Sequence, residues 1–100
     1  MPQFLVTAWD GTDPEAPARR AAARPAHLRN VAPMVERGEL VVGGAVLDGS
    51  GGMVGSVCIV ECADRAALDR WLEADPYVTG GVWQRVEVRP FRVAVERGGR

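Results

Sequence analysis

Residues 40–61, LVVGGAVLDGSGGMVGSVCIVE, decide the fold, because they hold two apolar runs joined by a glycine-rich break. LVVGGAVL (40–47) and MVGSVCIVE (53–61) have the composition of strands, and DGSGG (48–52) supplies the turn residues between them. The stretch therefore predicts an antiparallel hairpin. In its second strand both parities are apolar, with Ser56, Cys58 and Val60 alternating with Val57 and Ile59. A helix layer on one face of such a strand leaves the other face needing cover.

Working outward, residues 3–9 (QFLVTAW) form a first strand that D-G-T-D-P stops. Residues 14–37 turn to Ala, Arg and Glu, interrupted by Pro17, Pro25 and Pro33. Proline removes a helix donor and clashes with the preceding turn, so the spacing predicts two helical segments split at Pro25. In the second, Leu28, Val31, Ala32 and Val35 repeat at i, i+3, i+4 and i+7 and are expected to face the core. Pro33 should bend that segment, at about 3 kcal/mol unless the backbone adapts, and Gly38 is placed to end it. Downstream, a helix over 64–74 has Asp64 as its N-cap and Leu68, Trp71 and Leu72 inward. A last strand over 84–95 carries Val86 and Val88 on one face and Arg85, Glu87 and Arg89 on the other. The domain is expected to end at residue 96, with 97–100 a fraying tail.

The order β-α-β-β-α-β is the split pattern of a ferredoxin-like α+β fold, a four-stranded antiparallel sheet with both helices on one face. The other face is open in a monomer. Its mixture of apolar and charged side chains suits a half-polar cavity enclosed by two such sheets, hence a homodimer.

A chain of 100 residues has room for one compact domain. With 12 basic against 13 acidic residues, interspersed, it has neither the basic stripe nor the stacking platform of a nucleic-acid binder. The start, MPQFLVTAWDG, lacks the layout of a secretory signal, and no apolar run approaches the roughly 18 residues of a membrane span. The expectation is a cytoplasmic protein that works with neither nucleic acid nor membrane. Cys58 and Cys62, four residues apart on a strand, would lie roughly 13 Å apart at about 3.3 Å per residue, beyond disulfide reach. With a single histidine and no close Cys pair, no metal site is expected.

Two polar residues break the apolar stripes. Asp75 stands seven residues after Leu68, where a core residue belongs, and a buried carboxylate needs partners. Asp before Pro76 is equally the N-cap of a new helical turn through Tyr77 and Val78. His27, the only histidine, sits beside Leu28 at the edge of its stripe, with Arg24 one turn earlier; it reads as an amphipathic edge residue or as an acid/base group. Ser56 is a polar spot in a cavity or a small residue accepted in a strand.

The runs ARRAAARPAHLRNVAPMVERGELVVGGAVLD (18–48) and GSVCIVECADRAALDRWLEADPYVTGGVWQRVEVRPFRVA (55–94) closely resemble the YCII-related (YciI-like) family. R-P-A-H-L at 24–28, the Gly-rich second strand, Gly55-Ser56, A-D-P-Y at 74–77 and V-E-V-R-P-F ending at Phe91 carry the resemblance. It implies a dimeric α+β barrel and an active site built on a His and Asp pair, here His27 and Asp75. Pro33 departs from the family pattern and puts the second half of its helix in question. Around the pair, Arg24, Ser56, Tyr77 and Trp9 are the candidate substrate-binding residues. A carboxylate beside a neutral imidazole fixes its tautomer and steadies the imidazolium, so the expected chemistry is proton abstraction followed by elimination or isomerisation on a small cyclic or phenolic substrate, with no cofactor. The alternative is a non-catalytic dimeric module in which both residues are structural. A short His27 to Asp75 distance beside an open pocket discriminates the two.

Overall fold

The computed structural model describes residues 1–98, so two residues of the expected tail, 99 and 100, lie outside the described residues. The elements run β1 (Gln3–Asp10), α1 (Ala16–Glu36), β2 (Leu40–Leu47), β3 (Met53–Glu61), α2 (Arg65–Ala74), the single turn α3 (Pro76–Thr79) and β4 (Trp83–Phe91). The strands form one antiparallel sheet in the order β2-β3-β1-β4. The fold is ferredoxin-like α+β.

Alternation along β1 sorts the two faces. Phe4, Val6 and Ala8 are buried and stand beside Val60, Cys58 and Ser56 of β3. Pro90, Val88 and Val86 of β4 complete this face, which packs on Met34 of α1, Leu68 and Leu72 of α2 and Tyr77 of α3. Leu5, Thr7 and Trp9 lie on the other face, beside Ile59, Val57 and Gly55 on one side and Arg89, Glu87 and Arg85 on the other. Gly55 is required where it stands, since a Cβ there would lie 2.6 Å from the Ala8 carbonyl oxygen. Asp64 caps α2 as expected, its side chain accepting from the Ala67 amide at 2.8 Å.

Two expectations are corrected. The helix after β1 is not split at Pro25: α1 runs 21 residues with Pro25 and Pro33 inside it. Both prolines are exposed, as are Ala21 and Arg29, whose carbonyls lose their partners, so water can satisfy the freed groups and the helix continues at modest cost. Pro17 sits in the first turn, where no donor is needed. Continuity also moves the inward stripe. It is Ala16, Arg20, Ala23, His27, Val31 and Met34, at helical spacing throughout, whereas Leu28, Ala32 and Val35 are exposed. Gly38, with φ 75°, ends the helix as expected. The last strand stops at Phe91 rather than Val95, because Gln3, the first residue of β1, is its final partner and nothing remains to pair beyond it. Within the single chain a cavity opens on the helix side of the sheet. There α1 stands over β2, whose helix-side residues Gly43 and Ala45 have too little side chain to fill the gap.

Cys58 and Cys62 are free and buried. Burial, aided by the Asp75 charge, pushes the Cys58 thiol up to about 12 from 9.0, which makes its thiolate fraction roughly a thousandfold smaller than that of an ordinary thiol. Iodoacetamide at pH 8 is therefore expected to leave Cys58 unmodified in the folded protein while the denatured chain reacts fully, as mass spectrometry of the digest will show. Replacing either cysteine with alanine should lower stability by about 1 kcal/mol.

Candidate active site

The cavity, of about 460 Å³, lies between α1 and the β2-β3 hairpin, with Trp71 of α2, Tyr77 of α3 and Trp83 of β4 in its wall. His27 stands on the inner face of α1 and enters this wall edge-on. Its ring stacks on Tyr77, with centroids 3.8 Å apart and planes within 8°, and meets the Trp83 indole edge to face at 5.7 Å. Two aromatic neighbours leave the imidazole little rotational freedom.

Asp75 holds the ring from behind. It lies between α2 and α3 in extended backbone and is fully buried. One oxygen accepts from the Tyr77 amide at 2.8 Å and meets His27 Nδ1 at 2.8 Å; the other accepts from Asn30 Nδ2 at 2.9 Å. The two readings of Asp75 thus coincide, for the same carboxylate caps α3 and engages the imidazole. Since its partners are donors, the neutral ring presents Nδ1–H to it, and the lone pair rests on Nε2. Nε2 has no partner among the described residues.

A second buried network sits beside the first. Arg20 of α1 donates through Nη1 to both oxygens of Asp10, at 2.9 Å each, and through Nη2 to Ser56 Oγ at 2.9 Å. Its guanidinium lies 4.9 Å from the Tyr77 ring centre. Trp83 Nε1 also donates to Ser56 Oγ, at 3.1 Å. Burial raises the pKa of the Tyr77 phenol, with Arg20 and Arg24 opposing, so the group remains a neutral hydroxyl at physiological pH. Arg20 Nε and Trp71 Nε1 are buried without a partner, and both residues line the cavity.

Of the residues singled out from the sequence, His27, Asp75, Arg24, Ser56 and Tyr77 come together, the last three with His27 in the cavity wall and Asp75 behind it. Trp9 does not join them. It stands on the open face of the sheet, its ring 6.0 Å from the Arg85 guanidinium. The sequence reading missed Asp10, Arg20, Asn30 and Trp83. Arg20 was legible in principle, seven residues before His27 and so on the same face of one unbroken helix, but dividing that helix concealed it. Among the described residues no group of three His, Cys, Asp or Glu side chains could hold a metal ion, and no helix is long and apolar enough to cross a membrane.

The chain is thus a ferredoxin-like α+β protein with a His and Asp contact beside a cavity on the helix side of its sheet. Residues 4–92 match the YCII-related domain, and the chain belongs to the YCII-related family. It is 34% identical over 95 residues to protein YciI of Escherichia coli, a match spanning 89% of this chain and 95% of that one. A protein of the xenovulene A biosynthesis cluster of Sarocladium schorii is 31% identical over 74 residues, 64% of each chain. Among solved structures, 5-chloro-2-hydroxyhydroquinone dehydrochlorinase of Burkholderia phenoliruptrix, in complex with 2,5-dihydroxybenzoquinone, has the same fold. Its TM-score is 0.81 at 24% identity, over 92% of this chain and 95% of that one. A dimeric ferredoxin-like protein of unknown function from Jannaschia gives a TM-score of 0.52 at 17% identity, over 93% of this chain and all of that one.

Proposed function

We propose that the protein is a small-molecule enzyme in which His27, oriented by Asp75, abstracts a proton from a small cyclic or phenolic substrate. The observation that carries this is the 2.8 Å contact between Nδ1 and a fully buried carboxylate, with the ring forming part of the wall of a ligand-sized cavity. A merely structural pair needs no such cavity. In the step, Nε2 takes a proton from the ring or a ring hydroxyl, and the electron pair left behind forms a new π bond. In the keto tautomer of the ring, where a leaving group sits on a saturated carbon, that group departs with its own pair as the π bond forms, giving elimination; without one, the imidazolium returns the proton at another carbon, giving isomerisation. The Asp75 side chain, bound to Nδ1, stabilises the imidazolium. No cofactor enters this step. Support comes from a neighbour of the same fold that is a dehydrochlorinase and from a relative encoded in a biosynthetic cluster.

Halide release from a panel of chlorinated hydroquinones and hydroxyhydroquinones, followed by chromatography of the quinoid products, tests the reading. Turnover of at least one member is expected. If every halogenated member and its halogen-free analogue returns unchanged, the reading fails.

The working unit in this proposal is a homodimer. Leu5, Trp9, Val57 and Ile59 make the open face partly apolar, and a second copy of the face is its natural cover. Light scattering at micromolar concentration is expected to give twice the chain mass, and a monomer mass would remove the dimer from the proposal.

A further inference from the structure

The partners of Ser56 determine what its hydroxyl can do. A serine oxygen offers two lone pairs and one proton. Arg20 Nη2–H and Trp83 Nε1–H donate to it at 2.9 and 3.1 Å, so both lone pairs are taken. No acceptor for the remaining proton exists among the described residues. Ser56 faces the cavity from β3, flanked across the sheet by Ala8 and Ala45, which are too small to cover it. A hydroxyl in this position is compelled to donate into the cavity, and donation from the Arg20 cation polarises its O–H bond further.

Charge points the same way. No carboxylate lines the cavity, whereas two arginines do. Arg20 is neutralised by Asp10, but Arg24 forms no ion pair among the described residues. An acceptor-only, negatively charged oxygen matches this end of the cavity better than a hydroxyl does. The Trp83 indole borders both this corner and the imidazole, through Nε1 to Ser56 and through its ring to His27.

We propose that Ser56 is an obligate hydrogen-bond donor to a substrate oxygen, and that the cavity takes its ring substrate as the oxyanion, a phenolate or an enolate. This rests on reading the cavity as a substrate site, though not on His27 being catalytic. Charge that collects on the ring oxygen as His27 removes a proton is then met by a donor already in place.

Binding of 4-nitrophenol, followed by its absorbance across pH, tests the proposal. The wild type is expected to bind the phenolate more tightly than the neutral phenol, so the bound probe ionises at lower pH than the free one. Ser56→Ala should weaken phenolate binding by about tenfold or more, the range for a lost hydrogen bond to a charged group, and leave the neutral phenol little changed. Arg24→Gln should keep part of the preference. Because Ser56→Ala strands two donors, Trp83→Phe is the second variant. It retains a ring but frees one lone pair, so the hydroxyl can turn and accept from the neutral phenol, and the preference should shrink. His27→Gln should keep the preference. A phenolate preference of wild-type size in folded Ser56→Ala, or in Trp83→Phe if the first variant does not fold, overturns the donor role while leaving the site reading intact. An intact preference in a protein that turns over no panel substrate supports the donor and removes the catalytic reading. A wild type that binds neither form of the probe overturns both.

Discussion

Replacing His27 with alanine is expected to reduce turnover by about 10²-fold or more, the usual contribution of a positioned general base. Nε2 is the nitrogen left with a lone pair on the cavity wall once Nδ1–H is committed to Asp75, and no other side chain there can replace it. Tyr77 is held neutral, Cys58 is a poor thiolate, and the arginines do not deprotonate in this range. The variant should still fold, because Asp75 keeps the Tyr77 amide and Asn30 Nδ2 as donors, while loss of the stack on Tyr77, the edge contact with Trp83 and the hydrogen bond to Asp75 should lower its melting temperature. Initial rates beside a thermal melt separate the two effects. A folded His27→Ala protein within a few-fold of wild-type turnover would end the base assignment.

The hairpin at 40–61 was legible because alternation and turn chemistry act locally; the strand order follows once two helices must share one face. What escaped the sequence were consequences of α1 as a whole. A proline is a helix breaker only where the group it orphans cannot reach water, and exposure of Ala21 and Arg29 is a tertiary fact. With α1 divided, His27 fell at the edge of a short stripe; in the continuous helix it lies in the middle of the buried face, four residues before Val31 and seven after Arg20.

The cavity of the single chain was not legible either, because it arises where the small residues of β2 lie opposite α1, a juxtaposition that only the folded chain creates. Trp9 stands away from it, since its odd position in β1 places it on the face opposite Ala8 and the helices. Ser56 and Tyr77 line the cavity, because the hydrogen bond of Asp75 to the Tyr77 amide and the pairing of Ser56 with Ala8 place both on the helix side.

Asp75 carries the other large expected effect, and its two roles separate by substitution. Alanine removes the acceptor of one buried donor, the Tyr77 amide, and of two partly buried ones, His27 Nδ1 and Asn30 Nδ2. Unsatisfied donors cost about 1–3 kcal/mol each when water cannot reach them, and relaxation of the two side chains brings the expected loss to about 3–5 kcal/mol. Against a total stability of about 5–15 kcal/mol this leaves a marginal protein, so Asp75→Ala should melt far below wild type or fail to accumulate. Asparagine has nearly the same shape, but the oxygen that accepts from the Tyr77 amide is also the one that meets Nδ1, so the amide has two distinct placements. With its oxygen there, the cap on α3 and Nδ1–H both survive, the NH₂ group faces Asn30, whose own amide can turn over to accept, and the imidazolium loses the charge beside it; the melt should then stay close to wild type. With its NH₂ group there, the cap is lost and Nδ1 must accept, which puts the ring proton on Nε2 and removes the base. Turnover of Asp75→Asn should therefore fall by about tenfold or more while the fold persists, a smaller loss than that of His27→Ala. Nitrogen NMR of the single histidine at neutral pH tells which way the amide lies: Nδ1–H in wild type, and in Asp75→Asn either Nδ1–H with the cap kept or Nε2–H with the cap lost. An unchanged tautomer with unchanged turnover would reduce Asp75 to a helix cap, because the loss of fold in the alanine variant is expected under either role.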